Sequence, residues 1–316
     1  MLKRYGAGTI AAVLMTVLLW STTAAGLVSA LKHFSPGHLL FLRWTLTALG
    51  FVAYGLVTRM RLPQRRDVPV FLLAGLLGFG VYQLLLVFGQ QAVSASIGGF
   101  LVNLNPVFTT LIAVSLGRDS SNRYTWLGLV GCMAGLVLMG AAKGSFSGSG
   151  EGMALIAVAA LSFSLYTIVT KPLFSRYSPM EVTTYAVVAG SVPFLVFAPG
   201  AIQSAATATP AQLATVVFLA VLPGGVAFAL WSRSVAALPP GVASRFLYLV
   251  PVAGLLFAWI WVGETPQLLT LLGGLVTIGG VALSRLRPVS SRVIVSAPAP
   301  MSAHVALDPA ATIEAA

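Results

Sequence analysis

LVNLNPVFTTLIAVSL, residues 101–116, is apolar apart from Asn103, Asn105 and three hydroxyl side chains, and it carries Pro106 near its centre. Proline has no backbone N–H and clashes with the turn before it, so within a continuous helix Pro106 strands the carbonyl of Val102. FLYLVPVAGLLFAW, residues 246–259, repeats the arrangement 145 residues after Pro106, with Pro251 freeing the carbonyl of Leu247. Stranded carbonyls in an apolar setting are tolerated only where protein or a water-filled cavity meets them. In a continuous helix Asn103 and Asn105 would point about 200° apart. One is then expected to line a path and the other to hold a neighbouring helix, with Asn103 the better candidate for the path.

The setting of these two runs follows from composition. The chain is 58% hydrophobic and only 8% charged, with a mean hydropathy of +0.94, whereas a soluble domain is about 25% charged. It cannot clothe its surface in polar groups, and the bilayer is its expected solvent. A spanning helix needs about 20 mostly apolar residues. Ten segments qualify, at roughly 7–31, 38–57, 68–90, 95–115, 124–141, 152–171, 181–199, 211–235, 242–262 and 267–284. The run after Lys3 and Arg4 is too long for a signal-peptide core, so it counts as the first span. After Arg287 the sequence turns to Pro, Ser and Ala without period, and 288–316 is expected to be a disordered tail.

A net charge of +11 raises the question of a nucleic-acid partner, and its distribution answers it. With the N-terminus placed inside, fifteen of the 18 Lys and Arg fall in inner segments; only Lys32 and Lys143 fall outside, and Arg43 lies within a span. This is the positive-inside pattern: both termini are expected in the cytoplasm, and the bilayer, not nucleic acid, is the expected partner. Cys132 is the single cysteine, which excludes an internal disulfide and a cysteine metal cluster. His33, His38 and His304 have no neighbours that complete a triad or a two-histidine metal site. No enzyme constellation and no cofactor are expected.

The chain also matches itself. At an offset of 143, Trp20-Ser21 falls on Phe163-Ser164 and Ser35-Pro36 on Ser178-Pro179; at 145, Gly80-Val81 falls on Gly225-Val226, Pro106-Val107 on Pro251-Val252, and Gly128 and Gly135 on Gly273 and Gly280. Each half holds five expected spans. An odd number brings the second half into the membrane from the opposite side. The expected fold is therefore an all-α integral membrane protein of ten transmembrane helices in two inverted five-helix repeats, N-in and C-in. The domains are a first repeat over 1–143, a second over 144–287 and the tail. Inverted repeats are the architecture of many secondary transporters, whose substrate site lies near the midplane between the repeats.

The chain resembles the EamA-type transporters of the drug/metabolite transporter superfamily, over about residues 7 to 285. LLWS (18–21), FLRW (41–44), the paired PVFTTLIA (106–113) and PVAGLLFA (251–258), and WVGETPQ (261–267) carry the resemblance. It implies export of small organic metabolites, amino acids first, across a bacterial inner membrane. A multidrug or hydrophobic-cation exporter is the alternative, with an intramembrane enzyme or a structural membrane protein the reading from another class. In this chain Gly117-Arg118-Asp119 stands where the family usually has Gly-Glu, as in Gly263-Glu264. That departure leaves the first-half acidic residue without an implied role.

Polar and aromatic residues inside spans supply the site candidates. An Arg at a helix centre costs about 2.5–3.5 kcal/mol on insertion scales, so Arg43 either binds an anionic group in a cavity or satisfies backbone carbonyls. Tyr82, Gln83 and Gln90 lie in the third span, the two glutamines seven apart on one face; cavity lining and interhelical hydrogen bonds both fit them. Gly78-Phe79-Gly80 corresponds to Pro223-Gly224-Gly225, and paired interruptions in two halves point to a transporter site; close packing is the other reading. Trp20, Tyr166, Tyr248 and Trp259 either stack on substrate or pack. The expected substrate-binding set is Trp20, Arg43, Tyr82, Gln83, Asn103, Tyr166 and Tyr248, and the expected helix-break or gating set is Gly80, Pro106, Pro223, Gly224 and Pro251. No Asp or Glu sits in mid-span, so no carboxylate proton relay is expected; whether the protein is a monomer or a homodimer stays open.

Overall fold

The structure, a computed structural model, describes residues 6–93, 95–142, 149–262 and 267–284. It is all-helical. The first half runs α1 (Ala7–Ser21), α2 (Thr23–Leu31), α3 (Pro36–Val57), α4 (Val68–Gly75), a π-helical segment (Leu76–Val81), α5 (Tyr82–Gln91), α6 (Ala95–Val102), α7 (Asn105–Ser115) and α8 (Arg123–Ala142). The second runs α9 (Gly150–Thr170), α10 (Pro179–Ser191), α11 (Ala198–Ala206), α12 (Pro210–Leu219), a π-helical segment (Ala220–Val226), α13 (Ala227–Ala237), α14 (Pro240–Arg245), α15 (Leu249–Val262) and α16 (Leu268–Leu283). Short 3-10 turns over Val192–Phe197 and Phe246–Tyr248 join α10 to α11 and α14 to α15.

Among the described residues eight helical stretches are long and apolar enough to cross a membrane, and Phe100–Ser115 and Leu268–Leu283 are shorter apolar helices. Leu268–Leu283 covers about 24 Å at 1.5 Å per residue, short of the roughly 30 Å hydrocarbon core. The outer surface carries Leu56, Val57, Leu62, Val196, Ile260 and Leu268, while Thr16, Thr109, Thr167, Ser164, Thr183 and Thr277 are fully buried. That inside-out distribution suits a lipid solvent. The expected tail lies outside the described residues, as do Glu264 and the Trp259 side chain.

Helix starts follow local chemistry. Ser35 and Ser178 cap α3 and α10 with nearly the same backbone, φ −63° and ψ 155° against φ −66° and ψ 156°, each followed by proline. Proline loses nothing there, because the first-turn N–H groups have no helical acceptor. Ser178 adds a capping box with Glu181, and Thr209 does the same with Gln212 ahead of α12.

The two halves meet through equivalent residues. In the contact between α8 and α16, a Cβ on Gly128 would stand 2.5 Å from the Gly280 carbonyl, and one on Gly135 2.5 Å from the Gly273 carbonyl. Gly128 and Gly135 are the repeat equivalents of Gly273 and Gly280, so the order reverses and the helices run antiparallel. The same exchange recurs where α3 crosses the second π-helical segment. Thr47 Oγ1 donates to the Ala220 carbonyl at 2.9 Å, and the equivalent residues Gly190 and Gly75 are also in contact. Residue i meeting j while j's equivalent meets i's is what a two-fold axis imposes. The fold is two repeats related by such an axis.

Candidate substrate site

Between the repeats lies a core of aromatic rings. Trp20 of α1 packs on Phe163 of α9 and on Phe228 and Trp231 of α13, with centroids 5.9, 4.9 and 5.5 Å away. Trp44 of α3 and Tyr166 of α9 meet the same core through Phe79, and Tyr82 enters through Phe163 at 4.9 Å. Tyr166 is fully buried, and a Cβ on Gly78 would stand 2.6 Å from its ring. Gly78 is thus the seat of a packed tyrosine in this conformation.

Each repeat carries a π-helical segment at the same place: Leu76–Val81 holds Gly78, Phe79 and Gly80, and Ala220–Val226 holds Pro223, Gly224 and Gly225. A π segment widens the helix and leaves carbonyls for other donors, and such segments recur at functional sites. Here the donors come from the opposite repeat. Ser162 Oγ donates to the Leu77 carbonyl at 2.7 Å, and Trp20 Nε1–H to the Pro223 carbonyl at 3.0 Å. Pro223 has no N–H to offer the Leu219 carbonyl; Arg43 Nε–H donates to that carbonyl at 3.2 Å. Gly224 leaves room for Thr47, whose Oγ1 would stand 2.8 Å from a Cβ there.

Arg43 is 4% exposed, and its guanidinium carbon lies 4.9 Å from the Trp44 ring centroid. Beyond the Leu219 contact it makes no hydrogen bond or ion pair among the described residues. Gln83, 5% exposed on α5, makes none either. The carbonyl reading of Arg43 therefore accounts for one of its five N–H groups.

The opening motif differs from a kinked continuous helix. The helix stops, Asn103 and Leu104 form a turn, and Pro106 stands in the first turn of α7, where a missing N–H leaves no bond unmade. Pro251 stands likewise in the first turn of α15, after the 3-10 turn Phe246–Tyr248. The 200° argument for the two amides, which assumed one helix, does not apply. Asn105 Nδ2 donates to the Ala160 carbonyl at 3.2 Å and to Ser164 Oγ at 3.0 Å, which ties α7 to α9. Asn103 is buried in the turn at 7% exposure. Tyr248 lies apart from the aromatic core, packed with Leu129, Cys132, Leu136 and Met139.

Other residues of the site carried no sequence signal of their own role. Ser21 Oγ donates to the Val250 carbonyl at 2.9 Å, and Ser164 Oγ to the Asn105 carbonyl at 3.0 Å. Both pairs are related by the repeat, so each broken helix is pinned at its break by the other repeat's first helix. At one end Lys171 Nζ donates to the carbonyls of Val235, Ala236 and Leu238 at 2.6, 2.9 and 2.8 Å, against the negative end of α13. Nearby, Arg118 Nη1 donates to the Ile168 carbonyl at 2.8 Å. The Asp119 carboxylate, 2% exposed, faces Arg245 Nη2 at 3.9 Å and accepts the Ser120 N–H at 2.8 Å. Burial pushes its pKa up against the opposing pull of Arg245. The acidic residue that departs from the family's pattern thus has a defined place in the fold.

A family model described as the EamA-like transporter family matches twice, over residues 7–141 and 150–286. The chain belongs to that family. The two matches coincide with the two repeats, so this is a multi-pass membrane transporter. A Streptantibioticus cattleyicolor protein named "Probable terminal-alkyne amino-acid exporter" is 32% identical over 91% of this chain and 96% of its own length. A Bacillus subtilis protein, "Uncharacterized transporter YdfC", is 30% identical over 85% of this chain and 88% of its own. A crystal structure 21% identical shares the EamA-like fold, with a TM-score of 0.74 over 89% of this chain and 99% of that one.

Proposed function

We propose that this chain is an exporter of small organic metabolites, amino acids first, in a bacterial inner membrane, with ten spans, both termini in the cytoplasm, and alternating access between two inverted five-helix repeats. The observation that carries this reading is the pairing of interruptions. Both repeats have a π-helical segment and a helix break at equivalent positions. The first π-helical segment and the second break border the aromatic core, the second π-helical segment is joined to it by Trp20, and the first break is tied to α9 by Asn105. Paired interruptions of this kind mark transporter sites. The amino-acid exporter among the relatives supports the cargo class, and Arg43, a buried cation beside the core, disfavours hydrophobic cations. The basic loops support the orientation.

The test is counterflow into proteoliposomes loaded with a panel of amino acids and, separately, of hydrophobic cations. Uptake of labelled amino acid against a preloaded one is expected. A folded, inserted protein that moves nothing in a broad panel would overturn the assignment.

A further inference from the structure

We infer that Arg43, held by the Leu219 carbonyl at the start of the second π-helical segment, forms a carboxylate subsite, which receives the acid group of the cargo while its apolar part rests on the aromatic core. The inference rests on the proposed transport of small metabolites and adds which chemical group is recognised, and where.

The argument is a surplus of buried donors. Arg43 presents only donors, and its Nη groups have no partner among the described residues. The indole Nε1–H of Trp44 and that of Trp231, both fully buried, also lack an acceptor; indole donates and cannot accept. Among the described residues no acidic side chain answers them. Of the described acids, Asp67 is bound to Arg176 and Tyr177, Asp119 faces Arg245, Glu181 caps Ser178, and Glu151 is exposed at the start of α9. A buried charge is ordinarily paired, and an intramembrane ionisable residue is a functional candidate by default.

The missing partner has definite chemistry. It must be an anion, it must be small enough to reach the middle of a packed bundle, and a planar two-oxygen group fits the guanidinium fork bidentately. Trp44 flanks Arg43 and leads through Phe228 to Trp20 and Phe163, an apolar surface suited to the rest of such a molecule. Arg43 corresponds to Ala186 in the second repeat, so the subsite is single and gives the symmetric bundle a direction for its ligand.

The experiment works on the wild-type protein first. Phenylalanine, 3-phenylpropionate (the amine removed) and phenethylamine (the carboxyl removed) are compared as inhibitors of counterflow and, in detergent, as quenchers of tryptophan fluorescence. Both carboxylates are expected to compete and to quench, with phenethylamine at least tenfold weaker. Arg43→Gln should raise the KM for the carboxylates about tenfold to hundredfold, the range of a hydrogen bond to a charged group, and leave phenethylamine unchanged; Arg43→Lys should recover part of the loss. Phenethylamine acting as well as phenylalanine would overturn the subsite, as would Arg43→Gln slowing every compound equally, the mark of a purely structural clamp on Leu219. Carboxylates that quench without being transported would support the subsite and overturn the transporter reading. Absence of both binding and transport would overturn both.

Discussion

Cys132 Sγ donates to the Thr277 carbonyl at 3.5 Å across the contact of α8 and α16, and the two residues are 145 apart, the offset that relates the repeats. A residue in contact with its own equivalent lies beside the two-fold axis. Gly128 and Gly135 on one side, and Gly280 and Gly273 on the other, let the backbones close around that point. The contact is made of small residues, as expected where lipid removes the hydrophobic drive between helices and van der Waals packing must hold them.

Gly135→Ala and Gly280→Ala should each destabilise the protein by about 1–3 kcal/mol, the usual cost of overpacking, because the added methyl meets backbone that cannot rotate away. Gly50→Ala, on a helix position with nothing within 4 Å, is the control and should be neutral or mildly stabilising. Thermal unfolding in detergent reads all three. Equal midpoints would mean that α8 and α16 are not held together in the protein as they are here.

The serine pins give a second expectation. Ser21→Ala removes one bond to the first turn after a helix break and Ser164→Ala two, the second being the one its hydroxyl accepts from Asn105 Nδ2, with loss of about 0.5–1.5 kcal/mol per bond. Since the two are equivalent under the repeat, they should change the counterflow rate in the same direction. Opposite effects on rate would show that the two breaks do not share a role.

Much of this was legible in the sequence, and the reason is periodicity plus punctuation. The offset pairs located both capped serines, both π-helical segments and the glycines at the axis, because tight backbone contacts restrict residue choice at both copies. Asn105 behaves as the amide that holds a neighbouring helix. What sequence could not give was tertiary choice. Pro106 fits a kink and a helix start equally well, and only the turn at Asn103–Leu104 decides between them. Tyr248 shares its composition with the core tyrosines yet packs against α8 and α16. Asp119 lost its reading to a family comparison, although its partner Arg245 is 126 residues away and invisible to local pattern.

Lys171 predicts how one end opens. Its three carbonyl acceptors close the C-terminus of α13 onto α9, and its repeat equivalent is Val28, which has no ammonium to make the same clasp. In a Cys132→Ala background, a Val235→Cys site, 1% exposed in the closed form, should react slowly with a membrane-impermeant maleimide. Adding Lys171→Met should raise that rate several-fold, and Lys171→Arg should raise it less. An unchanged rate would show that the clasp does not hold this end shut.

Asp119 predicts a pH dependence whose sign runs against the usual surface carboxylate. It sits between α7 and α8, outside the crossing helices, and burial lifts its pKa above the ordinary 3.8 despite Arg245 and two backbone N–H groups. Once the loop is freed or the protein unfolds, the carboxyl returns toward 3.8. The folded, closed form therefore binds the proton more tightly, so its stability is full below 3.8 and falls as pH rises through the raised value. Asp119→Asn holds the uncharged form at every pH. The variant should match the wild type in unfolding midpoint near pH 4 and exceed it near pH 7, the gap widening between about 4 and the raised value. A variant less stable than wild type at pH 7 would mean that the 3.9 Å pairing with Arg245 outweighs the burial of the charge, and the linkage would then carry the opposite sign.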